Sequence, residues 1–271
     1  MEEKAKEKKS FMICGISIWR IMTYFVIYSV VGFVVETLYG LATKGVLESR
    51  RSFLYGPFCS IYGLGAVIMI LSLQYFKKNN FTLFIGGFIV GSIVEYFISF
   101  VGEMLFHVKW WDYSGVPFNV NGRICFSFSL FWGILAIFLM TYLNVKVDKW
   151  INKIKEQKKI KTLKKVVLFF IIFLIFDCLI TGFALKMFFT RLVLEHDLEI
   201  QNADKYLESG KKLYENPIIK DISDTLFSDK KMLRTFPNLK VTGKDGNIIY
   251  IDSVLKDIQP YYLKVFTPRQ K

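Results

Sequence analysis

Residues 81–106 read FTLFIGGFIVGSIVEYFISFVGEMLF, an apolar run carrying Glu95 near its middle. A helix needs about 20 apolar residues to cross a hydrocarbon core about 30 Å thick, and this stretch exceeds that. A charged side chain at the bilayer centre costs about 2.5–3.5 kcal/mol on insertion scales. A glutamate placed there implies a partner or a polar path. The run FVIYSVVGFVVETLYGL, residues 25–41, repeats the arrangement around Glu36.

The polar and small residues of these runs fall at helical spacing. Gly87, Gly91, Glu95, Ser99, Glu103 and His107 recur every fourth residue. On a helix of 3.6 residues per turn, such a step drifts about 40° each time, which makes a slanted ridge suited to crossing a neighbour. Ser29, Gly32, Glu36 and Gly40 share a face in the same way. Shorter sets occur at Gly56, Ser60, Gly63 and Ala66, at Ser129, Gly133 and Ala136, and at Asp177, Thr181 and Ala184. Small residues permit close helix contact in lipid, so packing alone accounts for most of them. The carboxylates require more.

The whole chain fits this reading. It has 271 residues, 53% hydrophobic and 17% aromatic, with mean hydropathy +0.36. Five spans are expected, over residues 19–41, 57–76, 81–106, 124–143 and 166–189. The predicted fold is all-α, a polytopic transmembrane helical bundle over residues 1–191. A small C-terminal tail of mixed charge occupies residues 192–271. From Arg191 onward there are 14 Lys and Arg against 12 Asp and Glu. The tail pattern predicts a helix over 192–214, a short helix over 222–233 and a hairpin over 241–251, turning at Thr242-Gly243-Lys244-Asp245-Gly246.

Charge sets the expected orientation. Residues 144–165 hold nine lysines against Asp148 and Glu156. The N-terminus, with Lys4, Lys6, Lys8, Lys9 and Arg20, and the Lys77 and Lys78 turn fall on the same side. That side carries 16 basic residues against five opposite: Lys44, Arg50, Arg51, Lys109 and Arg123. Cytoplasmic loops carry the lysine and arginine excess. The expectation is a multi-pass cell-membrane protein with a cytoplasmic N-terminus and an extracytoplasmic C-terminus. The net charge of +13 is thereby assigned to the membrane surface rather than to nucleic acid, since the basic loop lacks stacking aromatics beyond Trp150.

Two connections on the opposite side carry unusual chemistry. RRSFLYGPFCSIYGLG, residues 50–65, suggests a turn at Gly56 with Pro57 opening a helix, or a partly unwound, re-entrant start. HVKWWDYSGVPFNVNGR, residues 107–123, interleaves Trp110, Trp111 and Tyr113 with Asp112, Asn119, Asn121 and Arg123. Rings beside hydrogen-bonding groups suit an aromatic belt or a small-molecule site. The four cysteines show no metal-ligand spacing and read as packing residues; a Cys59–Cys125 disulfide is left open. No GxxxxGK[ST] loop, HExxH, CxxC or GxSxG occurs, and there are two histidines. No catalytic residue, metal ligand or cofactor is assigned.

The segments YSVVGFVVETLYG, RRSFLYGPFCSIYGLGA and VEYFISFVGEMLFHVKWWDYSGVPFNVNGRICFSFSLFWG together resemble the type IV ABC-transporter permease family of CmpB-like bacterial membrane proteins. The resemblance is strong from Tyr24 to Gly133 and weaker through Asp177–Arg191 and Phe236-Pro237-Asn238. It implies a transport subunit working in the lipid bilayer with a separate nucleotide-binding ATPase, and a homo-oligomer is compatible with it. The family pattern carries onto Glu36, Arg51, Gly56, Pro57, Tyr62, Gly63, Glu95, Trp110, Trp111, Asp112, Tyr113, Asn119, Gly122 and Arg123. Two positions depart: Ser60 stands where the family pattern has proline, and Ser52 where a glycine often follows the arginine.

The functional expectation is a transport-related subunit with a polar cavity in its outer half. Glu36, Arg51, Glu95, Trp111, Asp112, Asn119 and Arg123 would form the binding or pathway residues, with Arg51 and Arg123 balancing the glutamates. Two other classes compete. An intramembrane enzyme acting on a lipid or headgroup would hold a divalent cation near Glu36, Glu95 or Asp112. A scaffold or sensor would work through the tail.

Overall fold

The computed structural model describes residues 11–76, 79–106, 109–201, 203–258 and 262–265. His107, Lys77 and Lys78 of the sequence patterns, and Lys4, Lys6, Lys8 and Lys9, lie outside the described residues. A short antiparallel pair, β1 (Met12–Ile13) and β2 (Ile16–Ser17), leads into α1 (Ile18–Lys44). Strand β3 (Val46–Glu48) and a non-helical segment come next, then α2 (Ser60–Leu73) and a 3-10 turn at Gln74–Phe76. Helix α3 (Asn80–Phe106) runs back, and the hairpin β4 (Asn119–Val120) and β5 (Ile124–Cys125) joins it to α4 (Phe126–Phe138). A π turn at Leu139–Leu143 passes into α5 (Asn144–Glu156), and α6 (Ile160–Glu195) returns. Among the described residues, four helical segments are long and apolar enough to cross a membrane, and Ser60–Phe76 is a shorter apolar helix. The architecture is the all-α membrane bundle that the hydropathy implies.

Two differences from the sequence reading concern length. The lysine-rich stretch is not an open loop. Most of it is helix, with a tight turn at residues 157–159, and α5 buries Asn144 and Ile151 while its lysines face outward. Helix α6 has 36 residues, about 54 Å at 1.5 Å per residue, so it projects well past a hydrocarbon core. Apolar content marks the span but not where the helix stops.

Small residues set how the helices approach. A Cβ on Gly63 would lie 2.1 Å from Ser29 Oγ of α1, and one on Gly87 would lie 2.2 Å from the Ala136 Cβ of α4. The α1–α2 and α3–α4 contacts therefore depend on these glycines. At the lysine end, the hydroxyls of Tyr24 and Tyr28 donate to Asp148 and, at 2.9 Å, to Asn144 of α5. Arg20 pairs with Asp148 at 3.1 Å.

The tail adds α7 (Ala203–Tyr214), α8 (Pro217–Leu226), α9 (Asp229–Thr235), the hairpin β6 (Lys240–Thr242) and β7 (Ile248–Tyr250), the single turn α10 (Ile251–Val254) and β8 (Tyr262–Lys264). The hairpin falls where the Gly-rich turn places it. The helix expected over 192–214 is divided, because Asp197 takes a positive φ of 51° after α6 ends. The one expected over 222–233 is divided at Phe227, whose carbonyl accepts from Arg191. Phe188, Phe189 and Leu192 of α6 share one core with Met232, Leu233, Phe236, Val241 and Ile251 of the tail. Strand β8 pairs antiparallel with β3, which ties the tail to the α1–α2 connection. Arg191 is 3% exposed and meets Asp229 at 2.6 Å and Asp224 at 3.2 Å.

Candidate functional site

Residues 51–59 enter the bundle without helical structure, and Leu54, Phe58 and Cys59 are buried. Non-helical backbone at membrane depth needs protein or water to satisfy its polar groups. Here protein does so. The Tyr55 N–H donates to both Asp177 carboxylate oxygens at 3.2 and 3.1 Å, and the Leu54 N–H to Thr181 Oγ1 at 3.0 Å. The Cys59 N–H donates to the Ser29 carbonyl at 2.8 Å. Gly56 turns the segment with a φ of +72°, a region open to glycine. Pro57 lies in this turn rather than at a helix start, since α2 begins at Ser60. The two departures from the family pattern meet: the Ser60 N–H donates to Ser52 Oγ at 2.9 Å. Proline at 60 has no N–H to satisfy, and glycine at 52 has no side-chain oxygen to satisfy it.

This segment forms one wall of a cavity of about 680 Å³. The other walls are α1, α2, α3, α4, α6 and the loop after α3, and residues Thr235, Phe236, Pro237, Asn238 and Leu239 of the tail close over it. Glu36, Arg51, Glu95 and Trp111 all line it. Glu95 is 4% exposed; it accepts from the Tyr113 hydroxyl at 2.9 Å and the Trp132 indole N–H at 3.1 Å. Glu36 accepts from the Tyr62 hydroxyl at 2.8 Å and stands 3.9 Å from Arg50. Burial, reinforced by the Glu95 carboxylate, pushes the Tyr113 phenol well above its ordinary value, so Tyr113 stays protonated and remains a donor.

The arginines are placed differently from expectation. Arg50, not Arg51, approaches Glu36, and it also binds Glu48 at 2.5 Å. Arg123 pairs with Glu103 at 2.5 Å and donates to Ser99 Oγ at 3.1 Å. Glu103 stands two turns beyond Glu95, about 12 Å along the helix, and level with the loop from which Arg123 comes. Arg51 donates to the Leu54 carbonyl at 3.2 Å. Glu95 is therefore held by neutral donors and not by a guanidinium.

Three of the expected site residues stand outside the cavity lining and build its loop. Asp112 accepts from the Ser114 hydroxyl at 2.8 Å. Asn119 donates to the Val116 carbonyl at 2.8 Å and accepts from the Gly122 N–H at 3.0 Å. Arg123 packs over the rings of Tyr96 and Phe100, and its carbonyl accepts from the Trp111 indole at 2.9 Å. The loop they fix presents Trp110, Trp111 and Tyr113 to the cavity.

The expected binding or pathway residues do not include Arg50, Tyr62, Tyr113, Trp132 or the tail roof, although Tyr62 and Tyr113 fall in the family pattern and Tyr113 in the aromatic loop. Trp132 left a readable trace: a Cβ on Gly91, one turn before Glu95, would lie 2.5 Å from Trp132. A glycine so placed makes room for a large ring beside the acid. The four cysteines are free thiols, with Cys59 and Cys125 buried. Among the described residues, no group of three His, Cys, Asp or Glu side chains is placed to hold a metal ion.

A family model described as "Putative ABC-transporter type IV" matches residues 23–182. The chain belongs to this family. No curated protein and no solved structure matches it. Membership and the apolar helices make the chain an integral membrane protein of a transport-related family. The matched region contains Glu36, Glu95, the re-entrant segment and the aromatic loop, and it stops before the tail residues that roof the cavity.

Proposed function

We propose that the chain is the membrane-spanning, permease-type subunit of a transporter, with its solute site in the cavity beneath the tail. The observation that carries this reading is the enclosure of two carboxylates, Glu36 and Glu95, in one aromatic-lined chamber of about 680 Å³. Chambers of this size, mostly apolar with a few convergent polar groups, are the usual form of small-molecule sites. The lysine asymmetry supports a cytoplasmic lysine end and an extracytoplasmic tail. The cavity then opens from the outside, and residues 235–239 act as its cover. A separate ATPase would dock at the opposite end and drive the cycle. The headgroup-modifying alternative draws on Asp112 as a third carboxylate, and Asp112 faces Ser114 outside the chamber.

The test is purification of the tagged full chain from its native membrane. An ATPase should co-purify, and Glu95→Gln should uncouple its ATP hydrolysis from solute movement without lowering the amount of folded protein. A chain that purifies without any ATPase, together with full function in Glu95→Gln, would end the permease reading.

A further inference from the structure

Two cavities meet at Arg51. Beside the inner chamber lies a groove of about 790 Å³, lined by Glu48 of β3 and by Lys230, Lys231 and Arg234 of α9. Ser49, Arg51 and Thr235 border both spaces. Their charge balance differs. The groove gathers four cationic side chains against Glu48, whose carboxylate already binds Arg50 at 2.5 Å and Lys44 at 3.2 Å. The inner chamber holds Glu36 and Glu95 among the rings of Tyr39, Tyr62, Trp111, Tyr113, Phe128 and Trp132; Arg50 and Arg51 line it as well, and Arg50 stands near Glu36, which leaves Glu95 as the carboxylate held by neutral donors alone.

Each half has a preferred guest. Aromatic faces beside carboxylates attract an organic ammonium, by the ring quadrupole and by charge. A cluster of lysine and arginine attracts a phosphate or carboxylate. At the junction, Ser49 Oγ and Arg51 Nε are buried without a protein hydrogen-bond partner. Buried polar atoms in that state are costly until a partner is supplied, and a small side-chain adjustment would turn them to a ligand's oxygens.

Resting on the permease reading of this site, we propose that its ligand is dipolar: one molecule carrying an ammonium, held in the aromatic chamber, and an anionic group, held at Arg51 and the α9 lysines. Free zwitterionic solutes and zwitterionic lipid headgroups share this chemistry. A single charged group would satisfy only one half of the site, so affinity should depend on both.

Calorimetry on the purified full chain in a non-ionic, phosphate-free detergent tests this, with phosphocholine, choline and inorganic phosphate as probes. Phosphocholine should bind at least tenfold more tightly than either fragment. Glu36→Gln should weaken phosphocholine and choline and leave phosphate unchanged. The Lys230→Ala, Lys231→Ala double variant should weaken phosphocholine and phosphate and leave choline unchanged. Should a neutralised variant misfold, Tyr39→Leu, which removes a ring and no charge, must reproduce the Glu36→Gln pattern. Glycerophosphocholine and a short-chain phosphatidylcholine then separate the sources: equal affinity assigns a free solute, and tighter binding of the lipid assigns a headgroup. Phosphate binding as tightly as phosphocholine, equal weakening of all three probes by both variants, or no binding by any probe would overturn the proposal. If an ATPase co-purifies and phosphocholine still fails to bind, the ligand class falls and the permease reading stands. If no ATPase co-purifies and Glu95→Gln keeps full function while phosphocholine binds as expected, the permease reading alone falls.

Discussion

Asp177 and Glu95 are both acids buried in apolar helices, at 0% and 4% exposure, yet their surroundings differ in kind. Asp177 receives a backbone N–H of the re-entrant segment, a group that exists whatever the local side chains are. Glu95 receives a phenol and an indole, both belonging to walls of the cavity. The first acid completes the main chain of a segment that could not otherwise lie at membrane depth. The second completes a chamber. The donor to a buried carboxylate separates the two roles better than depth or burial does.

Substitutions at the two sites should respond accordingly. The largest effect is expected from Asp177→Leu, which leaves the Tyr55 N–H without an acceptor. Such a buried group costs about 1–3 kcal/mol and more where lipid excludes water. The expected outcome is a large fall in folded yield and in the detergent melting temperature, with Asp177→Asn intermediate because its amide oxygen still accepts. Glu95→Gln should do the opposite. Its amide can face both neighbours once the Tyr113 hydroxyl turns to accept, so stability should change by about 1 kcal/mol or less. Phosphocholine binding should fall at least tenfold, about 1.4 kcal/mol. A melting-temperature loss in Glu95→Gln equal to that of Asp177→Leu would erase the distinction.

Two further effects sharpen it. Ser52→Gly should cost about 1–3 kcal/mol by orphaning the Ser60 N–H, and adding Ser60→Pro should recover most of the loss by deleting that group. Position 60 is the first residue of α2, where proline is favoured, and Cys59 before it (φ −114°, ψ 89°) lies outside the helical region, as proline requires of its predecessor. Additive losses in the double variant, read from denaturation, would refute the pairing. The smallest effect concerns Tyr113. Its pKa is raised on folding, so its contribution is complete below the ordinary tyrosine value near 10 and is lost as pH rises through the higher folded value. The difference in absorbance at 295 nm between wild type and Tyr113→Phe should show no step near pH 10. A step there would place the phenol in water and away from Glu95.

Much of the bundle was legible because hydropathy and four-residue spacing are local properties. The spans around Glu36 and Glu95, the close-packing glycines and the hairpin at Gly243 could all be read from neighbouring letters. Pairing was not legible, because it depends on register between distant segments. Arg50 and Arg51 are adjacent in sequence, and only the turn of the chain after β3 decides which faces Glu36. Asp112, Asn119 and Arg123 have the composition of a binding loop, yet their side chains spend their hydrogen bonds within the loop and on Glu103 and Ser99. The roof over the cavity comes from residues 235–239, far along the chain, and no nearby pattern announces it.

The π turn at Leu139–Leu143 has a consequence of its own. A π turn is a one-residue insertion in a helix, and each residue rotates the remainder of the helix by about 100°. That added letter brings Asn144 and Asp148 round to meet Tyr28 and Tyr24, and it points the lysines of α5 the other way. The same sequence wound as an unbroken α-helix would keep the same hydropathy profile and the same number of spans. It would nonetheless turn Asn144 and Asp148 about 100° away from Tyr28 and Tyr24 and undo that latch.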